Sequence, residues 1–80
     1  MSKDYYRKAI IDCRAAIARE RELKKKDNES YARSIKNAGS PSMKATYRKN
    51  KIDRAAYHDR HIEEYKKRIE SYQRSLKACK

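Results

Sequence analysis

Two histidines, His58 and His61, stand three residues apart, with Glu64 three further on, so a helix would carry all three on one face. Carboxylates of Glu20, Glu22 and Asp27 lie in the first half of the chain, where a facing helix would bring them near. Histidine and carboxylate groups on paired helices can hold a metal. This set lacks the paired Glu-x-x-His repeat of di-metal bundles, and the surrounding cations oppose a metal. It is therefore read as a polar break between helices, and neither a metal nor a cofactor is expected.

A second constellation is defined by what it lacks. From Ser30 to Ile52 there is no acidic residue, while Arg33, Lys36, Lys44, Arg48, Lys49 and Lys51 are all present. Ser30, Ser34, Asn37, Ser40, Ser42, Thr46 and Asn50 add short polar donors. Such a set suits phosphate groups, read through the backbone without base recognition. Tyr31 and Tyr47 lie in the same window, as caps on a core or as stacking platforms for bases. The other basic runs, Lys24-Lys25-Lys26 and Lys66-Lys67-Arg68, follow Glu20 and Glu22, and Glu63 and Glu64, at spacings that make ordinary helix-surface ion pairs. Catalysis finds little support. There is no glycine-rich phosphate loop and no nucleophile with a neighbouring base, and two helices build no deep pocket.

What must position these groups follows from composition and period. Eighty residues make one small domain, residues 1–80. Only 38% are hydrophobic, seven of the residues are Tyr, and Phe and Trp are absent. Such a chain folds as a simple extended helical unit or gains burial by self-association. Helix formers dominate on both sides of Gly39-Ser40-Pro41. Gly39 suits a left-handed helix stop, Ser40 an N-cap and Pro41 the first helical position. The expectation is helix 1 over about 3–38, a turn at 39–41 and helix 2 over about 41–79.

Helix 2 carries Ile62, Tyr65, Ile69, Tyr72, Leu76 and Cys79 at alternating steps of three and four, the period of a coiled-coil seam. Ala45, Ile52 and Ala55 extend it backward with one irregular step near Asp59. Helix 1 supplies Tyr6, Ile10, Cys13 and Ile17. Folded about Pro41, Tyr6 meets Leu76, Ile10 meets Tyr72, Cys13 meets Ile69 and Ile17 meets Tyr65. Two stripes and a turn, each read separately, agree on one register. The fold class expected is all-α, a coiled-coil-like hairpin of two antiparallel helices about 54 Å long. In this register Cys13 lies about 15 Å from Cys79 along the rod, too far for a disulfide, so two reduced thiols are expected.

Between Arg19 and Ser30, Leu23 is the only apolar residue, so the middle of the seam is polar or thinly packed. Near the termini, Ala9, Ile11, Ala15, Ala16 and Ala18 widen the apolar face of helix 1. They point to a homodimer that completes a helical bundle.

The net charge of +12 selects polyanionic or acidic partners. No apolar run approaches the roughly 20 residues of a membrane span. A membrane-surface helix is disfavoured because the apolar faces are taken up by the seam. No secretory signal is visible at the start, and a cytoplasmic location is expected. The function expected is non-enzymatic binding of nucleic-acid phosphates through the basic hairpin tip. The alternative is a protein-interaction module (adaptor, chaperone or inhibitor) that docks on an acidic partner.

Overall fold

The computed structural model describes residues 2–79 as two helices, α1 Lys3–Asn37 and α2 Pro41–Ala78, packed as an antiparallel hairpin. The rod measures 62 × 14 × 12 Å. Each helix starts on a serine. Ser2 Oγ accepts from the Tyr5 N–H at 3.3 Å, and Ser40 Oγ accepts from the Met43 N–H at 3.2 Å. These caps satisfy N–H groups that have no partner inside their helix. Pro41 follows its cap at the first helical position, where its missing N–H costs nothing. Lys36 and Lys77 lie in the last turns, where cations complement the helix dipole.

The turn departs from expectation at Gly39. No described residue has a positive φ, Gly39 included. Helix 1 ends instead on Ala38 in an extended conformation (φ −67°, ψ 135°), with its N–H on the Ile35 carbonyl at 3.4 Å. The chain reverses through extended backbone at Ala38 and Ser40, so no left-handed glycine is required.

The seam begins near the termini as an apolar contact. Ile10, Cys13 and Ile17 of α1 are buried, as is Ile62 of α2. Tyr65, Ile69, Tyr72 and Leu76 are half-buried along it. Burial of each apolar side chain contributes about 1.5–3 kcal/mol, which makes this end the main apolar source of cohesion. The Tyr6 and Tyr72 rings meet at 6.3 Å between centroids, and Tyr5 packs edge-on against both.

Toward the tip the same spacing continues with different chemistry. Glu20, Lys24, Asp27, Tyr31, Ser34 and Ala38 follow Ile17 at steps of three and four, and all are half-buried. Lys24 reaches Asp59 at 2.8 Å and Arg54 reaches Asp27 at 3.1 Å. Both pairs are symmetric about Pro41 to within a residue, as the expected register requires.

On α2, however, Ala45 and Ile52 do not belong to the seam. Both are exposed, Ile52 at 69%. Lys44, Tyr47, Lys51, Ala55 and His58 turn toward α1 instead. Two successive steps of four, Tyr47 to Lys51 to Ala55, shift the helix phase, so an apolar residue is carried outward and lysine stems are carried inward.

Candidate functional site

Two polar arrangements stand out, one inside the rod and one at its tip. The inner one is built on His58, which is 2% exposed. Its Nδ1 lies 2.7 Å from Glu20 Oε2 and its Nε2 lies 2.6 Å from Asp27 Oδ2. Glu20 and Asp27 are two helical turns apart on α1, so they grip the ring from both ends. A neutral imidazole has one N–H and would leave one nitrogen lone pair facing a carboxylate. Only imidazolium donates to both, and the geometry is that of a charged His58.

Burial pulls the His58 pKa down, but the hydrogen bonds to Asp27 and Glu20 and their charges outweigh it, and the net shift is upward. Asp27 is held below the usual carboxylate value by the His58 hydrogen bond and then by Arg54. Around the ring on its own helix, Tyr57 stacks edge-on against His58 and His61, and the Arg54 guanidinium sits 4.6 Å above Tyr57.

The polar centre is therefore closed and fully paired, not thinly packed. Each His58 nitrogen already faces a carboxylate, and among the described residues no His, Cys, Asp and Glu group is arranged to hold a metal. Glu22, grouped with these carboxylates from sequence, is exposed. Glu20 faces His58 and Lys24 faces Asp59, in place of the expected surface pair between Glu20 and Lys24. The signal for this cluster was present in the continued three-four spacing of α1, which an apolar count alone passes over.

The tip gathers the acid-free window onto both helices. Arg33, Lys36, Arg48 and Lys49 are exposed, while Lys44 and Lys51 are half-buried. They do not form one surface. Arg33 lines a shallow cleft with Ser30, Ser34, Asn37 and Tyr47. Lys44 and Arg48 border a second cleft against the turn at Gly39, Ser40 and Pro41. Arg48 also borders a third with Lys51, on the face that carries Ile35 and Ile52. Among the described residues, the ion pairs lie elsewhere, at Arg7–Asp4, Lys24–Asp59, Arg54–Asp27 and His58. None of the six tip cations takes part in these pairs, and four of them are exposed. The first turn of α2 has no acid to offset its N-terminal dipole.

The five residues expected at a dimer interface divide. Ala9 and Ala16 are half-buried in one row beside the seam. Ile11, Ala15 and Ala18 are exposed at steps of four and three on the other flank of α1.

No family model matches this chain, and no curated protein and no solved structure shows significant similarity to it.

Proposed function

We propose that the protein is a non-enzymatic nucleic-acid-binding hairpin that contacts phosphates through its tip. The observation that carries this reading is the acid-free stretch Ser30–Ile52, whose six cations, four of them exposed, stand outside the ion pairs of the rod. The cleft of Ser30, Arg33, Ser34 and Asn37 offers a guanidinium beside hydroxyl and amide donors, groups suited to phosphate oxygens. Tyr47 at its edge supplies a ring on which a base can stack. His58 has both nitrogens tied to carboxylates, which fits a structural role better than proton transfer. A homodimer is not carried into this proposal, because the residues that suggested it do not share one face.

The test compares two triple charge reversals in titrations of a mixed oligonucleotide pool. Arg33→Glu, Arg48→Glu and Lys49→Glu form the tip variant. Lys8→Glu, Lys26→Glu and Lys67→Glu, all exposed and outside the tip, form the control. Lys24 is unsuitable as a control because it bridges to Asp59. The tip variant is expected to lose affinity several-fold beyond the control, with a salt slope smaller by about three, near one per lost phosphate contact. Equal losses would reduce the attraction to overall charge. Absence of wild-type binding near physiological salt would pass the tip to the acidic-protein reading.

A further inference from the structure

Three shallow clefts follow one another along the groove between the helices. Near the termini, Ile10, Ile11 and Leu76 lie between Arg7 and Arg14. In the middle, Ile62 lies among Arg21, Lys24, Lys25 and Lys66. Toward the tip, Ile35, Ile52 and Ala55 lie beside Arg48 and Lys51. Asn28 borders both the middle and the tip clefts, so the two adjoin. On α1, Arg7, Arg14, Arg21, Asn28 and Ile35 recur every seven residues, which sets them in one row beside the seam. The three clefts therefore belong to one face.

This face has a distinct pattern: apolar at both ends and cationic in the middle. Ile11 is 62% exposed at one end and Ile52 is 69% exposed at the other. From Ile11 to Ile35, which shares the tip cleft with Ile52, the groove runs roughly 36 Å at 1.5 Å per residue. Glu29 and Asp59 are the carboxylates that line it, and Asp59 is already bound to Lys24.

We propose that this groove docks an acidic amphipathic helix of another protein, laid along the hairpin as a third helix. Its carboxylates lie over Arg14, Arg21, Lys25 and Lys66, and an apolar residue at each end seats against Ile11 and Ile52. Charge complementarity selects this occupant. A second copy of the chain carries the same net charge of +12 and would bring cations onto cations. A nucleic acid would satisfy the cations but has no use for exposed isoleucine at both ends. Arginine in a heptad row suits carboxylates, since its guanidinium binds them with two parallel hydrogen bonds. The groove is distinct from the Arg33 cleft, so this proposal does not depend on nucleic-acid binding at the tip.

The probe is a synthetic helical peptide of matching length, glutamate-rich in the middle with leucine near both ends. Its binding to the full chain is read by fluorescence anisotropy at physiological salt, beside an oligonucleotide duplex of similar charge. Peptide binding in the micromolar range is expected. The double variant Ile11→Ser with Ile52→Ser is expected to weaken peptide binding at least tenfold and leave the duplex unaffected. Both side chains are exposed, and an unchanged helical circular dichroism spectrum certifies the fold. Replacing the peptide's end leucines with serine should reproduce the loss. The proposal is overturned if the peptide fails to bind, or if its binding ignores the isoleucines and follows net charge alone. It is also overturned if duplex affinity falls with the isoleucines, or if light scattering shows a dimer that the double variant dissolves. Charge reversal at Arg33, Lys36 and Lys49, exposed tip residues that do not line this groove, would weaken duplex binding with little effect on the peptide, so failure of the tip reading is seen separately.

Discussion

The end of the rod that holds the termini and its centre occupy the same kind of position with opposite chemistry. Near the termini the three-four spacing places Ile10, Cys13 and Ile17 against α2. One step further along the same row it places Glu20, Lys24 and Asp27. The apolar end contributes cohesion that is tolerant of small shifts, because one methyl group packs much like another. The centre contributes little net energy, since desolvation offsets much of the attraction between charges. It does impose position. His58 satisfies both carboxylates only where Glu20 and Asp27 lie on either side of it, and slippage by one turn would separate them. We infer that the apolar end supplies most of the stability and the centre supplies most of the register.

The largest expected effect comes from breaking the centre on one side. His58→Ala leaves Glu20 and Asp27 facing each other across a space that a ring had filled. A fully buried pair loses about 3–5 kcal/mol in this way. Glu20 and Asp27 retain 19% and 32% side-chain exposure, so water screens part of the loss and about 2–3 kcal/mol is expected. Urea denaturation of the variant measures it. The companion experiment replaces all three residues with leucine. Stability should then be unchanged or raised, as for other buried ionic clusters exchanged for apolar groups. Disulfide trapping of alternative pairings between engineered cysteines would show whether the register has loosened. A triple variant that is both unstable and uniquely registered would break this division of labour between the two regions.

The next effect is the pH dependence of the centre, and its sign follows from the two shifts. His58 has its pKa raised above 6.5 in the folded state by Asp27 and Glu20 acting against burial. Its contribution is fully present below the unfolded pKa and is lost as pH rises through the folded value. Asp27 is lowered from 3.8, first by His58 and then by Arg54. Its contribution is present above the unfolded pKa and is lost as pH falls through the folded value. The centre therefore stabilises most between about pH 4 and 6.5 and weakens on both sides. Arg54, Tyr57 and His61 are the other charged or titratable groups beside the ring. Urea midpoints of the wild type should fall as pH rises beyond this range, through the raised folded pKa of His58. The all-leucine centre should flatten that limb, and a limb of equal slope in both proteins would assign it to another group.

How far these regions were legible in the sequence depended on which residues carried the signal. The stripe from Ile62 to Leu76 and the cap at Ser40 and Pro41 read correctly, because apolar spacing and capping chemistry are local. The centre was legible as polar but not as closed. Its closure requires two carboxylates on one helix to meet a ring on the other, which only the paired register supplies. Apolar character alone points Ile52 inward, and the phase shift between Tyr47 and Ala55 overrides it. The tip cations were legible as an acid-free run. Their division among separate clefts was not, since that depends on which flank of each helix faces the groove.

The smallest expected effect tests whether the seam, and not the turn, holds the register. If the turn imposed it, Gly39 would occupy a conformation that other residues resist. Its φ is not positive, and a Cβ built there meets nothing within 4 Å. Gly39→Ala should therefore cost nothing in the folded state and narrow the unfolded ensemble. The expected gain is about 0.4–1 kcal/mol, seen as a small rise in the urea midpoint with an unchanged slope. Ser40→Ala makes the contrast, since it removes the acceptor for the Met43 N–H. It should cost about 1 kcal/mol. A destabilised Gly39→Ala variant would mean that the reversal needs glycine after all. The turn would then share with His58 and its two carboxylates in fixing the register.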